Sequence, residues 1–488
     1  MSESLNSVSR PKYGIIAILM IGAFISFLNN TLLNVALPSI MADLNITTAT
    51  AQWLSTGYML VNGILIPTTA FLIQKYSVRH LFLAAMLLFS VGTVLAGFAP
   101  MFNVLLAGRM IQASGSAIMM PLLMNVILVS FPVAKRGTAM GVLGLILMFA
   151  PAIGPTLSGW IVEHYNWRML FHFIAPIAIA ILLLGFFLLK DKKDKVNIDF
   201  DGFSLVLSSI GFGGLLYGFS SAGSLGWSNP QVYVTLIAGI ISLVLFIQRQ
   251  SKLKQPMLNF DVFSYPMFSL AAILMIVINM AMFSGFMLLP IYVQTILGVS
   301  PMEAGLMLLP GAIVSAIMSP ITGRLFDKYG GKILAITGLT LMMGTTFALS
   351  NLTFETSYYY LMFIHVIRML GMSMVMMPVQ TNGLNQLPVD YYPHGTAMNN
   401  TLNQVSGAIG TALIITIMAT REKGYANKLT EAMTGQPTAE GKQQIALEAM
   451  LGGINDAFLV STFIIVVALI LAFFIKRATP EENKIQLR

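Results

Sequence analysis

The amino-acid sequence predicts an all-α membrane protein that consists of two parallel six-helix bundles and two inserted helices. Three observations lead to this fold class: an apolar composition, fourteen long apolar runs and an internal repeat. Of the 488 residues, 56% are hydrophobic and only 9% are charged, and the mean hydropathy is +0.80. Soluble domains carry far more charge. The lipid bilayer is therefore the first partner that the sequence predicts.

The apolar runs set the number of spans. A helix needs about 20 apolar residues to cross the hydrocarbon core, and fourteen stretches meet this requirement, although several are interrupted by Gly and Pro. The first run is too long for the core of a cleaved signal peptide, so it is expected to remain as the first span. The predicted spans are 14–37, 51–73, 80–99, 103–130, 137–162, 169–190, 202–221, 231–249, 267–296, 302–323, 332–350, 358–382, 395–420 and 456–476.

Positive charges are distributed unequally over the loops. Twenty of the 27 Lys and Arg fall on one side of the predicted spans, five fall on the other side, and Arg109 and Arg368 fall within spans. Because Lys and Arg accumulate in cytoplasmic loops, this predicts a multi-pass protein of the cell membrane with both termini in the cytoplasm. The same distribution accounts for the net charge of +8 without nucleic acid as a partner.

The chain also repeats itself. FLIQKYSVRHL at 71–81 aligns with RLFDKYGGKIL at 324–334, and GTAM at 137–140 recurs at 395–398. Spans 1–6 and 9–14 are thus two copies that start from the same side, and spans 7 and 8 are an insertion. We predict an N-terminal bundle at 1–190, a cytoplasmic link with two inserted helices at 191–255, and a C-terminal bundle at 256–488 whose outer loop, 421–455, holds a short surface helix.

The fifth span contains an uncharged stretch, 141–159, that is interrupted by four glycines and two prolines. Proline bends a helix, and the small residues at 150, 154 and 158 share one face that a neighbouring helix can approach closely. We expect Gly154 and Ser158 to face the opposite half at a moving contact. A kinked packing helix without a special role is the alternative.

This pattern of small residues and prolines resembles the fifth-helix antiporter motif of drug exporters in the major facilitator superfamily. In the first span, LNNTLLNVALPSI at 28–40 is similar to a signature of the fourteen-helix drug:proton antiporters, the lincomycin-resistance and multidrug exporter type. The resemblance implies the major facilitator fold, exchange of a substrate for protons, and a gate in the fifth span. The gate residues would be Gly141, Pro151, Gly154, Pro155, Ser158 and Gly159.

A loop motif of this superfamily, G-x-L-x-D-x-x-G-x-K/R, is intact only in the second half. In the first half, Ala70, Gln74 and Ser77 replace its Gly, Asp and Gly. The resemblance implies a latch between the cytoplasmic ends of neighbouring helices, and a basic turn that only obeys charge topology is the alternative. The latch residues would be Gly323, Asp327, Gly330 and Lys332.

Two arginines within spans are candidates for proton coupling. A charge inside a span costs at least about 2.5 kcal/mol, so Arg109 must face a partner or a wet cavity. Gln112 lies three residues on and shares its face, which resembles the fourth-helix motif implicated in proton coupling. Arg368 has the related place in the second half, and His365 lies three residues before it. Histidine titrates near neutral pH, so His365 is a candidate proton carrier, with a structural histidine bonded to backbone as the alternative.

None of the 19 acidic residues lies in the middle of a predicted span. Exporters of lipophilic cations usually place a carboxylate in the cavity, because a buried anion attracts the cation and exchanges it for a proton. We therefore expect a neutral, zwitterionic or anionic amphiphile, such as the lincosamide-type drugs that related exporters remove. The candidate cavity residues are Asn29, Asn30, Asn34, Met120, Asn279, Phe283, Tyr292, Met376, Gln380 and Asn403.

These observations favour a secondary active transporter that exports drugs or drug-like amphiphiles, in exchange for protons, by alternating access. A lipid exporter or facilitator without strict proton coupling is the alternative that the missing carboxylate leaves open. A membrane enzyme would need clustered acids, histidines or a nucleophile with its base, whereas this chain has five scattered histidines and no cysteine. We expect no enzyme activity, no cofactor, no metal and a monomer.

Overall fold

A computed structural model of the chain describes residues 13–190, 201–432 and 438–477. The charged link at 191–200 and both tails lie outside the described residues. Parts of the three predicted domains fall on these segments. In the described part the chain is helical without a strand. The helices are α1 (Tyr13–Leu44), α2 (Thr48–Leu65), α3 (Thr69–Lys75), α4 (Val78–Gly97), α5 (Phe102–Ser130), α6 (Val133–His164), α7 (Met169–Leu188), α8 (Gly202–Leu225), α9 (Pro230–Gln250), α10 (Pro266–Ile291), α11 (Pro301–Tyr329), α12 (Gly331–Ala348), α13 (Tyr358–Leu384), α14 (Tyr392–Ala432) and α15 (Ala439–Ala472).

The number of spans predicted from the sequence is confirmed. Over the described ranges, fourteen helical spans are long and apolar enough to cross a membrane. The second span consists of α2 and α3, joined by a short 3₁₀ segment, Ile66–Thr68, with Pro67 near its start. Proline lacks the backbone N–H that a continuous α-helix would need at this point, which explains the break.

The two bundles repeat the same packing. α4 crosses α5 closely in the first half, where a Cβ added at Gly108 would lie 2.9 Å from the carbonyl oxygen of Gly92. The equivalent helices of the second half, α12 and α13, meet in the same way, and a Cβ added at Gly338 would lie 2.5 Å from the carbonyl oxygen of Gly371. Glycine is needed at these positions because the backbones touch. The inserted helices α8 and α9 pack on each other, and α8 also packs on α2 and α14.

The two ends of the bundle differ in charge. We call the end at which α1, α6 and α14 begin the basic end, because most described lysines and arginines outside the spans lie there. The other end is called the opposite end. The prediction that places the basic end in the cytoplasm concerns orientation, which the packing of the helices leaves untested.

The predicted outer loop at 421–455 is mostly helical in the structure, and the segment for which a short surface helix was predicted is the first part of α15. α14 continues to Ala432 and α15 begins at Ala439, so each helix extends beyond the span predicted for it. Lys, Glu and Ala are good helix formers, and they carry each helix past the point where its apolar run stops. An ion pair between Arg421 and Asp456, 3.3 Å apart, joins the two extensions.

Candidate functional site

The first cluster of interest surrounds Arg109, which is fully buried on α5. Its Nη1 donates to Oε1 of Gln112 at 3.0 Å, and its Nη2 donates to Oδ1 of Asn30 on α1 at 3.1 Å. The guanidinium also stacks on the ring of Tyr58 from α2, 4.3 Å from the ring centroid. Gln112 is held in turn by its bond to Thr93 on α4, at 2.7 Å. The predicted pairing of Arg109 and Gln112 on one helix face is therefore present.

This cluster holds a buried positive charge with neutral partners only. The ion pairs among the described residues lie elsewhere, between Asp43 and Arg168, between Asp201 and Arg249, and between Arg421 and Asp456. A buried charge needs hydrogen bonds or a counter-ion, and stacking on an aromatic face supplies further stabilisation. The amides and the tyrosine ring therefore take the place of a carboxylate.

A central cavity of 180 Å³ lies directly in front of the Arg109 cluster. Asn30 and Tyr58, which both contact Arg109, belong to its wall. The predicted cavity residues Asn30 and Met120 are thus found there. The described lining contains amides, hydroxyls and apolar groups without a carboxylate: Ser26, Phe27, Asn30, Tyr58, Met59, Asn62, Ile66, Ser116, Ala117, Met120, Asn400 and Gln404.

A second cavity, of 160 Å³, adjoins the central cavity. Met59 and Gln404 line both cavities. The predicted residues Phe283 and Asn403 line this second cavity. Asn279 is buried behind Asn403 and donates to its Oδ1 at 2.9 Å, so it supports the wall without being part of it.

Several other predicted cavity residues have different surroundings. Tyr292 is fully buried in an apolar cluster at the opposite end, and its hydroxyl donates to the carbonyl of Thr353, so the prediction that it lines the cavity is wrong. Met376 packs against the apolar core of the second half. Asn29 is buried, and its Nδ2 finds no hydrogen-bond partner among the described residues. The side chain of Asn34 lies outside the described part of the structure.

Gln380 joins the two halves beneath the central cavity. Its Nε2 lies 3.8 Å from Sδ of Met124 on α5. Asn400 on α14 approaches the same sulfur, at 3.2 Å. Gln380 therefore lies at the boundary between the halves. It is next to the central cavity, whose wall includes Asn400, but it is not part of that wall.

His365 and Arg368 form a separate buried site in the second half. Arg368 donates to the carbonyl oxygen of Ala281 on α10 at 3.2 Å, and Gly285 leaves the space that its guanidinium occupies. His365 packs against Gly311 of α11, where an added Cβ would lie 2.5 Å from the ring. Nδ1 of His365 has no hydrogen-bond partner in the described residues. Their predicted role in proton coupling stays a prediction.

The contact between the halves runs along α6 and α11 at the basic end. A Cβ added at Gly141 would lie 2.5 Å from the carbonyl oxygen of Ser319 and 3.1 Å from Cα of Gly323. One turn earlier, Gly137 lies against Gly323 in the same way, and Gly144 faces Ser319. Residues 137, 141 and 144 share a helix face, and their lack of side chains lets the two backbones meet.

The expectation that Gly154 and Ser158 face the opposite half is wrong. Gly154 packs against the side chain of Thr31 on α1, whose Cβ would lie 2.8 Å from an added Cβ. Ser158 donates to the carbonyl oxygen of Leu32 on the same helix, at 2.6 Å. The face formed by 150, 154 and 158 therefore packs within the first half. An added Cβ at Gly159 would meet nothing within 4 Å, and the side chains of Pro151 and Pro155 lie outside the described part.

Asp327 connects α11 to the start of α6 across the two halves. Its carboxylate accepts from the backbone N–H groups of Gly137 and Thr138, both at 2.8 Å, and from the hydroxyl of Thr138 at 2.6 Å. Gly330 ends α11 with a φ of +82°, a conformation that favours glycine, and Lys332 is exposed.

Other contacts at the basic end were not anticipated from the sequence. Arg136 donates to Oδ1 of Asn385 at 3.1 Å, again across the halves. In the first-half copy of the loop motif, the amide of Gln74 lies 3.1 Å from the ring of His394 on α14. Tyr58 was also missed, although Asn62 one turn later marks a polar face of α2 that could have revealed it.

The comparisons with known proteins agree with this architecture. The family model described as Major Facilitator Superfamily matches residues 19–411. The chain is 48% identical over 477 residues to the uncharacterized MFS-type transporter YcnB of Bacillus subtilis (strain 168), covering 98% of each chain. It is 44% identical over 461 residues to the lincomycin resistance protein LmrB of the same organism, covering 94% of this chain and 95% of the relative.

A solved structure shares the fold. The crystal structure of the human organic anion transporter MFSD10 (TETRAN) matches with a TM-score of 0.65 at 12% sequence identity. The match covers 93% of this chain and 99% of that chain. At this identity the likeness concerns the arrangement of helices alone.

Proposed function

The chain belongs to the major facilitator superfamily, and we propose that it exports drugs or drug-like amphiphiles from the cell in exchange for protons. Members of this family are transporters, so the expectation that the chain is not an enzyme is confirmed. Drug export is supported by the similarity to the lincomycin resistance protein over nearly the whole chain. Protons as the coupling ion, the cell membrane as the location and a monomeric state are parts of the proposal.

The observation that carries the proposed substrate class is the Arg109 cluster behind the central cavity. Asn30 and Tyr58 separate the guanidinium from the cavity by a single layer of side chains. The lining between Arg109 and the cavity is neutral, and no described carboxylate balances the charge of Arg109. The cavity therefore lies in the field of this positive charge. Such a cavity favours neutral, zwitterionic or anionic amphiphiles over permanent cations.

The route through the membrane follows from where the halves meet. The glycine contact between α6 and α11, the Asp327 bonds and the pair of Arg136 and Asn385 all join the halves at the basic end. We propose that these contacts separate when the cavity opens to the basic end, and form again when it opens to the opposite end. With the basic end in the cytoplasm, the arrangement described here is the one closed to the cytoplasm.

Proton coupling has two candidate centres, the Arg109 cluster and the site of His365 and Arg368. Neither contains a described carboxylate, which is the usual proton carrier beside a cavity. This observation favours, as a second candidate function, a lipid exporter or facilitator without strict proton coupling. The two functions differ in one measurable property, which is accumulation against a gradient.

Uptake of radiolabelled lincomycin into inverted membrane vesicles tests the proposal. Vesicles with the protein should accumulate the drug when their interior is made acidic, and should lose it when the pH gradient is dissipated. Matched vesicles from cells without the protein are the control. Equal uptake with and without the gradient would support the uncoupled function, and uptake no greater than the control would contradict drug transport.

Orientation is tested by labelling single cysteines, because the chain has none of its own. Glu440 lies in the extension at the opposite end, Lys252 lies at the basic end, and both are exposed. In intact cells a membrane-impermeant maleimide should label Glu440→Cys and spare Lys252→Cys. The reverse pattern would place the termini outside.

A further inference from the structure

The second cavity has a wall that the two six-helix repeats do not supply. Leu216 and Ser220 of the inserted helix α8 form one side of it, and the other sides are formed by α2 of the first half and by α10 and α14 of the second half. α8 has no counterpart in the internal repeat. The insertion therefore contributes one wall of a space that is otherwise lined by α2, α10 and α14.

α8 is fixed to both halves around this cavity. Its Tyr217 stacks on Trp53 of α2, with ring centroids 5.8 Å apart, and Leu216 fills the space that Gly63 of α2 leaves free. On the other side, Nε1 of Trp227, just after α8, donates to the hydroxyl of Thr416 on α14 at 2.8 Å. These contacts hold α8 as a wall between the halves.

The second cavity combines a mainly apolar wall with a few polar groups. Gln404, which also lines the central cavity, presents an amide at the boundary, together with the flexible side chain of Met59. The rest of the wall is mainly apolar, with Phe283 and Met287 of α10 and Ala408 of α14. It also carries the polar side chains of Thr56, Ser220, Asn403 and Thr411. Each cavity alone is small, but together they reach the size of a small-ligand pocket, about 300 Å³ and above.

We propose that the second cavity is a subsite for the apolar tail of an amphiphilic substrate whose polar head lies in the central cavity. The inference rests on the proposed export function and adds the part of the substrate that α8 recognises. The tail would lie between α2, α8 and α14, and the head would contact the amides in front of Arg109. Methionine side chains adapt to tails of different shape, which suits a transporter of varied amphiphiles.

Lincomycin analogues that differ only in the length of the alkyl chain on the pyrrolidine ring test this subsite. In wild-type vesicles, each added methylene from ethyl to pentyl should lower the KM of transport about fourfold, from about 0.8 kcal/mol per buried methylene. Ala408→Phe places a ring in the cavity and should abolish this dependence, while the ethyl analogue is still transported. Ala419→Phe, at an exposed position of the same helix, is the matched control and should keep the wild-type dependence.

A second variant keeps the test decisive if Ala408→Phe fails to insert. Leu216→Ala enlarges the same cavity from the side of α8, and should shift the preferred chain to a longer one. An unchanged dependence on chain length in a well-inserted Ala408→Phe or Leu216→Ala protein would overturn the subsite, while transport itself persisted. If the wild-type protein transported none of the analogues, the proposed export function would be contradicted, and the subsite with it.

Discussion

Asn30 on α1 accepts a hydrogen bond from Arg109 on α5, with 3.1 Å between Oδ1 and Nη2. A neutral amide thus faces the guanidinium at a position where an acid would form an ion pair with it. An aspartate there would neutralise the guanidinium, whereas asparagine satisfies a hydrogen bond and leaves the charge. The substrate class that we propose depends on this one difference.

The geometry of the Arg109 cluster predicts that its shape matters as well as its charge. The planar guanidinium bonds to Gln112 and Asn30 and stacks on Tyr58 at once, which lysine cannot reproduce. We expect Arg109→Lys to lower kcat for lincomycin at least tenfold, because a lost bond to a charged group is worth about 1.5–3 kcal/mol, and Arg109→Gln to abolish transport. Arg421→Lys, at an exposed ion pair, is the control. Wild-type transport by Arg109→Lys would reduce the cluster to a packing role.

The glycine contact between the halves predicts different effects for two glycines of α6. Gly141→Ala would push a methyl group against the carbonyl of Ser319, so the basic end should close poorly and transport should fall. Gly159→Ala has open space and should keep transport, with a stabilisation of up to about 1 kcal/mol from helix propensity. Vesicle transport and thermal unfolding measure the two effects. Equal transport by both variants would contradict the role of Gly141 in closure.

Removing the charge of Asp327 should loosen the basic end. Asn at this position cannot accept from all three donors of Gly137 and Thr138, and charged hydrogen bonds contribute about 1.5–3 kcal/mol each. The test uses a Ser319→Cys background, in which the cysteine is buried at the contact between α6 and α11. In this background Asp327→Asn should speed alkylation of the cysteine by N-ethylmaleimide about tenfold. Asp261→Asn, an exposed acid of the same end, should leave the rate unchanged. A rate that Asp327→Asn does not raise would refute the latch.

The ion pair between Asp201 and Arg249 at the inserted helices should stabilise the fold in a pH-dependent way. The hydrogen bond from Arg249 lowers the pKa of this carboxylate to about 2. Because the folded pKa lies below the ordinary value of 3.8, the stabilisation is complete above about pH 4 and is lost as the pH falls through about 2. The Tm of Asp201→Asn should lie below that of the wild-type protein at pH 7, and the difference should shrink toward pH 2.

Asp201 also caps α8 by accepting from the backbone N–H of Ser204 at 3.2 Å. Asparagine retains this cap and alanine removes it. The Tm of Asp201→Ala should therefore lie below that of Asp201→Asn at every pH at which the protein is folded. Identical Tm values for the two variants would show that the cap contributes nothing.

The spans and the polar cluster were predictable from the sequence because each depends on local spacing. Long apolar runs mark the spans wherever they fold, and the three-residue separation of Arg109 and Gln112 places them on one helix face. Asn30 was predicted to line the cavity because it is a polar residue within a predicted span. Tyr58 was missed because an aromatic residue in an apolar run is ordinary.

The errors have physical causes as well. Small residues at 150, 154 and 158 show that a helix comes close, but the pattern does not identify that helix, which is α1 of the same half. The continuation of α14 to Ala432 was missed because apolar length marks the membrane boundary, whereas helix propensity continues beyond it. The wall formed by α8 was unpredictable because an insertion without a repeat partner has no internal copy to place it.

The central claim is that the unbalanced charge of Arg109 sets the substrate class, and Asn30→Asp tests it most directly. Transport of radiolabelled tetraphenylphosphonium, a permanent cation, is measured beside that of lincomycin in inverted vesicles. The wild-type protein should transport little of the cation, and the introduced carboxylate should raise its transport at least tenfold. Efficient transport of the cation by the wild-type protein, unchanged in Asn30→Asp, would contradict the claim.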